Sequence, residues 1–334
     1  MNYQTFITIV EKGRRISLSD AVKIIEELYQ EANGDDDAID EYDKIYTLIE
    51  MLLQHPLFNG EASDYHNAAV VCARQEDYEI ACDFLEIGLK KNPYNIDLLA
   101  DYLNYGMNCD KIEQCEECYK KLLLRKAEWN WRAYSFTIDY LLKVTDLKLE
   151  NNDEVIYSLI VEYIDKFPEN EDAYVQQADF LKRRPTWAEE KLKTNDTFES
   201  ILNYVTSNES PVQRTPKCDL KLADYYYEQG KNIDRAIELL ERCKGDSIHT
   251  HKSVNRNYVY LLLALCKLTQ YYNNYQNKEM DEKNEIAQEI YDNYHVAYAG
   301  GTDIGVHNCR GIIEAFIRET QIPYPYDDGI ENDL

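Results

Sequence analysis

A chain of 334 residues with 62 acidic and 36 basic side chains carries a net charge of -26 at pH 7, and the acid excess runs through both halves. That charge excludes non-specific capture of phosphate backbones or anionic membranes by this chain alone, since both need positive charge on the protein; it suits a solvated surface, a basic partner or mimicry of nucleic acid. Only 12 glycines and 8 prolines punctuate the chain and strict apolar/polar alternation is hard to find, so a sheet-built fold is disfavoured and an all-α fold is predicted.

At the N-terminus the apolar stretch Phe6 to Val10 is too short for a secretory signal, and Arg14 and Arg15 follow it where a signal would have them precede. Ser17 or Ser19 can cap a helix whose apolar side is Val22, Ile25, Leu28 and Tyr29, ending near Asn33-Gly34. After the acidic turn Asp35-Asp36-Asp37, a second amphipathic helix carries Ile45, Leu48, Ile49 and Leu52 and stops before Pro56. Residues 1–58 thus read as a capping hairpin.

Residues 62–93 then place Tyr65, Ala68, Ala69, Ala81, Leu85, Gly88 and Pro93 at spacings that let two short antiparallel helices interlock. The small residues leave room for one backbone to approach the other. This spacing resembles the tetratricopeptide repeat, a helix-turn-helix unit of about 34 residues. A second match is Leu222-Ala223, Tyr226, Gly230, Ala236-Ile237 and Leu240, with one extra residue between Gly230 and Ala236. Weaker copies lie between them. Leu99, Tyr102, Cys115, Tyr119 and Leu122 form one, with Ala127 where the terminating proline is expected. Trp131, Tyr134, Ser135 and Ile138 with Ile156, Ile160, Tyr163 and Pro168 form the next, lengthened by the polar residues 146–153. Tyr174, Ala178 and Leu181 open another, whose second helix, around Phe198 to Val205, is displaced by Arg183-Arg184-Pro185.

Beyond the repeats of residues 59–245, Tyr258 to Leu268 is the most apolar run, yet far shorter than the roughly 20 residues that cross a bilayer, so a buried helix is expected. Ala287, Tyr291 and Tyr294 read as a second helix, and Val306 to Ile317 as a closing helix after the loop Gly300-Gly301. Residues 246–322 thus form a C-terminal hairpin and cap, and 323–334 an acidic tail. The 29 tyrosines suit rings buried between helices with hydroxyls reaching water or a carbonyl; an AT-rich genome accounts for abundant Tyr and Asn equally well.

Nine cysteines without compact disulfide spacing fit a reducing compartment and a cytoplasmic protein. Cys115 and Cys118, with Cys109 nearby, invite a metal reading, but Cys115 falls where the repeat wants a small buried residue and no matching pair follows; His249 and His251 read as turn residues. No phosphate-loop lysine, dinucleotide glycine fingerprint, zinc-helix histidine pair or nucleophile-elbow serine occurs, so no cofactor, metal or catalytic residue is assigned. Gly300-Gly301-Thr302 before a helix could hold an anion, though a plain loop explains it as well.

The resemblance implies an α-solenoid, a right-handed superhelix of stacked antiparallel helix pairs, with a concave groove lined by each first helix. The matching positions are His66, Arg74, Asn104, Asn108, Arg132, Tyr140, Asp179, Lys182, Arg183, Tyr227 and Glu228. Arg74, Arg132, Lys182 and Arg183 would make a basic path suited to a ligand's carboxylates, or would neutralise neighbouring Asp and Glu. The function so implied is a non-enzymatic scaffold or regulatory subunit binding another protein, through a peptide segment or a larger surface. The alternative is a peptide- or small-signal-responsive bacterial regulator built on similar repeats. An enzyme with an unrecognised site is a third class.

Overall fold

The computed structural model describes residues 2–12, 17–32, 39–54, 60–147, 152–192, 196–207, 209–212, 216–245, 254–274, 280–300 and 309–320. Among these every regular element is helical. The chain divides into two compact units, 1–167 and 168–334.

In the first unit α1 (Tyr3–Glu11) precedes four antiparallel pairs: α2 (Leu18–Ala32) with α3 (Ile39–Gln54), α4 (Ala62–Ala73) with α5 (Tyr78–Lys91), α6 (Ile96–Gly106) with α7 (Ile112–Leu123), and α8 (Trp131–Asp146) with α9 (Asp153–Lys166). First helices also meet in sequence, α2 on α4, α4 on α6 and α6 on α8, so the pairs stack. The apolar stretch Phe6 to Val10 belongs to α1, where Phe6 and Val10 are buried. Ser17, rather than Ser19, caps α2: its Oγ accepts from the Asp20 backbone N–H at 3.1 Å and donates to the Asp20 carboxylate at 2.6 Å. Asn33-Gly34, Asp35-Asp36-Asp37 and Pro56 lie outside the described residues. In place of a terminating proline, Lys126–Glu128 form a single tight helical turn before α8.

The interlocking spacing of the α4 pair is realised in its packing. Tyr65, Ala68, Ala69, Ala81, Leu85 and Gly88 are all buried, and a methyl group on Gly88 would stand 3.1 Å from Tyr65 Cβ and 2.9 Å from Leu98 Cδ1. Gly88 is therefore where α4, α5 and α6 close on one another. Cys115 occupies the equivalent small-residue slot of α7, fully buried, with its thiol 3.6 Å from the Tyr102 carbonyl. At Gly106 a methyl group would come 2.6 Å from the Cys115 sulfur.

Three pairs turn in the same way. Glu76, Asp110 and Gly230 have φ of 64°, 58° and 60°, and the following N–H groups of Asp77, Lys111 and Lys231 bond back to the carbonyls of Cys72, Gly106 and Tyr226 at 3.2, 2.8 and 3.1 Å. This six-to-one closure with a left-handed residue satisfies a carbonyl that the ending helix leaves open. The third pair absorbs its extra residue with a second left-handed position, Asn232, at φ 51°.

In the second unit α10 (Glu171–Arg183) pairs with α12 (Phe198–Val205), α13 (Pro216–Glu228) with α14 (Ile233–Gly245), and α15 (Arg256–Asn274) with α16 (Met280–Ala299), while α17 (Cys309–Thr320) packs on α16. The segment that displaces α12 is itself a short helix, α11 (Pro185–Lys191), begun by its proline and held by Trp187 edge-on to Phe180, centroids 5.1 Å apart. As its composition predicts, Tyr258 to Leu268 lies within α15, where Leu261, Ala264, Leu265 and Leu268 join Ala287, Ile290, Tyr291, Phe316 and Ile317 in one core. No helix of the described residues is long and apolar enough to cross a membrane. The expected closing helix is α17; residues 306–308, Gly301, Thr302 and the tail lie outside the described residues.

Candidate partner-binding face

In the first unit the exposed edges of α4, α6 and α8 carry polar residues at helical repeat. On α6 these are Asp97 and Asn104, with Asp101 buried between them at a spacing of four and three, and the exposed Asn108 follows in the turn beyond the helix. On α8, Arg132 and Phe136 continue in step. Asp101 ties three first helices together: Arg132 Nη2 of α8 donates to one oxygen at 2.7 Å, and His66 Nε2 of α4 stands 2.7 Å from the other, at ion-pair distance but off the line of a hydrogen bond. The Asp101 side chain is 0% exposed, whereas His66 and Arg132 keep 20% and 24%, so a buried carboxylate is held by a guanidinium and an imidazole that both reach the surface. The Asp101 contact pushes the His66 imidazole above its ordinary pKa, against partial burial and the Arg132 charge, which lower it. Asn130, the cap of α8, adds a bond from its amide to Asp97 at 2.8 Å.

The remaining predicted groove residues of this unit fall into different surroundings. Arg74 pairs with Glu26 of α2 at 3.2 Å, and both remain half exposed. Asn108 donates its amide to the Asn104 carbonyl at 3.0 Å and is exposed. Tyr140 is buried, its ring 5.5 Å from that of Tyr119 on α7. The structure therefore brings His66 and Arg132 together through Asp101, a residue that sequence reasoning misses. The acidic pair Asp97/Asp101, four apart and in step with Asn104 and Asn108, is the available signal.

In the second unit the same kind of stripe on α10 faces one on α13. Asp172 pairs with Lys217, Asp179 with Lys221 at 2.8 Å, and Lys182 with Glu228 at 3.1 Å. Lys182 also lies 5.2 Å over the Phe198 ring. Arg183 is exposed at the end of α10, and Tyr227 packs against the α15–α17 core. Asp219, almost fully buried, is bound by Arg242 of α14 at 2.6 Å. Arg74, Arg132 and Lys182 of the expected basic path are thus each matched by a carboxylate of this chain.

On the second-helix side of the first unit, α5, α6 and α7 enclose an open cavity of 460 Å³ lined by Glu86, Lys90, Tyr102, Glu117, Cys118 and Lys121. Among the described residues no group of three or more His, Cys, Asp or Glu side chains is arranged to hold a metal ion. Cys115 and Cys118 are both buried, and burial pushes each thiol up to about 12, leaving protonated core side chains.

No protein-family model matches the chain, and no curated protein matches it. Solved structures of similar fold include the Cut9-Hcn1 hetero-tetramer of the APC/C (TM-score 0.44, 11% identity, 91% of this chain and 54% of that one). Human IFIT1, as a dimer with PPP-AAAA, is similar at TM-score 0.45 and 15% identity over 90% of this chain and 66% of its own. A tetratricopeptide repeat protein from Parabacteroides merdae ATCC 43184 is similar along its whole length, 100% of it matching 91% of this chain at 16% identity and TM-score 0.47.

Proposed function

We propose that this chain is a non-enzymatic scaffold that binds a segment of another protein along the first-helix face of α4, α6 and α8. The observation that carries the reading is the convergence of His66, Asp101 and Arg132 from three successive first helices, which fixes α6 with Asn104 on it and Asn108 in the turn that follows. A surface already braced in this way loses little freedom when a ligand docks, so more of the contact energy appears as affinity. Because the cations of the face are matched by carboxylates and the chain as a whole is at -26, the partner segment it suits is neutral or basic, bonded through the two asparagine side chains.

Affinity purification from native cells, followed by mass spectrometry, tests this. The expected result is one protein recovered in fixed ratio with the wild-type chain and lost from Asn104→Arg and Asn108→Arg, both of which retain full helicity and melting temperature. Recovery of the same protein by both variants moves the binding surface elsewhere. A small molecule that raises the melting temperature, with no protein recovered, assigns the chain to the ligand-responsive regulators instead.

A further inference from the structure

Away from the first-helix stripe, Cys82 and Cys109 meet sulfur to sulfur at 3.8 Å. They come from adjacent pairs: Cys82 from α5, where it is fully buried, and Cys109 from the turn between α6 and α7, where it is half-buried, directly before the left-handed Asp110. Cys109 belongs to neither helix; among the described residues its thiol faces the carbonyls of Tyr105 and Gly106, at 3.5 and 3.7 Å. Closing the gap to a covalent S–S bond of about 2.05 Å asks a turn residue to move by less than the length of two bonds.

We propose that Cys109 and Cys82 form a covalent modification site for a small disulfide of the glutathione type. The two sulfurs have fixed roles because only one can be reached. The Cys109 thiolate attacks a sulfur of the reagent, the reagent's S–S bond breaks, and one small thiolate leaves with the bonding pair and takes up a proton from solvent. Cys109 now carries a mixed disulfide. The Cys82 sulfur, having passed its proton to solvent, attacks Cys109 Sγ and expels the second small thiolate, which is protonated in turn. Two protein thiols are oxidised by two electrons in all, one small disulfide is reduced to two thiols, and a Cys82–Cys109 bond joins α5 to the turn that starts α7.

Other cysteines of the region are placed differently. Cys115 and Cys118 are buried on α7, and Cys72 is buried on α4. Burial, and after it the Cys109 sulfur, push the Cys82 thiol up; the ammonium of Lys111, next but one to Cys109 and 3.3 Å from Asp83, opposes them in part. Burial makes the second step slow and leaves the first open to reagent.

The full chain is incubated with oxidised glutathione at about pH 8, then acid-quenched, alkylated and mapped by mass spectrometry. The expected outcome is one cross-linked peptide joining the segments of Cys82 and Cys109, removed by dithiothreitol. Cys82→Ala should stop at a glutathione adduct on Cys109, and Cys109→Ser should leave Cys82 free. If the wild-type chain keeps both thiols alkylatable while its helicity is intact, or if the cross-link joins other cysteines, the proposal is overturned. Should Cys82→Ala fail to fold, the wild-type peptide map still separates these outcomes.

Discussion

Arg132 shows what a single side chain does here. Replacing it with alanine leaves the Asp101 carboxylate, 0% exposed, facing the His66 imidazole without a guanidinium. Breaking a buried pair from one side costs about 3 kcal/mol or more, reduced here because Arg132 itself is partly wet; Arg132→Ala should therefore lower stability by about 2–3 kcal/mol, read as a fall in the urea midpoint at constant slope. A midpoint equal to wild type would mean that water already serves Asp101. The same cluster gives a pH signature. His66 is held above its ordinary value, so its contribution is complete below about pH 6.5, the unfolded value, and is lost as pH rises through the folded one. Stability should fall as pH rises above about 6.5 in wild type, and His66→Gln should flatten that limb. Tyrosine hydroxyls follow a related rule. Composition alone sends them to water or carbonyls, but Tyr29, Tyr102, Tyr134 and Tyr258 donate to Asp77, Glu86, Glu162 and Asp224 at 2.6, 2.9, 2.6 and 2.6 Å. Each spans two helices or a helix and a turn, so the surplus of acids and the surplus of phenols serve one another. Tyr102→Phe should cost about 1.5–3 kcal/mol, the range of a hydrogen bond to a charged group, in the same urea assay.

At the scale of the helix pair, the turn decides more than the helices do. Glu76 and Asp110 hold a left-handed backbone that costs an L residue roughly 1–2 kcal/mol, whereas Gly230 holds it freely. Glu76→Gly should raise the thermal midpoint, and Gly230→Ala should lower it although open space surrounds the new methyl group; equal midpoints would remove the strain argument. Gly106→Ala acts by contact instead, driving a methyl group into the Cys115 sulfur, and should cost about 1–3 kcal/mol. The pairs are legible in the sequence where small residues recur at helical spacing: Ala68, Ala69, Ala81 and Gly88 are buried at the α4–α5–α6 junction as that spacing requires. The turns are only partly so. Gly230 announces a left-handed position and Asp110 gives a weaker hint, but Glu76 carries the same backbone with no residue-type signal, because the six-to-one bond and not the side chain imposes it. The short α11 is hidden for a like reason, since a proline that displaces one helix can also begin another. Of the proposed face, the positions can be read from helical step, but the partners cannot: Glu26 and Asp101 lie 48 and 31 residues from the cations they hold.

Within each compact unit, stability is assembled from neighbouring helix pairs, as expected of repeats that pack on the next. The first unit, residues 1–167, contains its own stack of four pairs and its own buried side chains. Expressed by itself it should keep its helical circular dichroism and melt in one cooperative step; loss of helicity would show that its cohesion depends on residues 168–334. The bonds from phenol to carboxylate have one further consequence. Burial first, and then the bonded acid, holds Tyr29, Tyr102 and Tyr134 protonated beyond the range of free phenols. In a chain of 29 tyrosines, some sheltered in this way and others exposed, an alkaline ultraviolet titration becomes a built-in gauge of interior order. The sheltered set should turn to phenolate only in a late, abrupt rise that coincides with collapse of the helices.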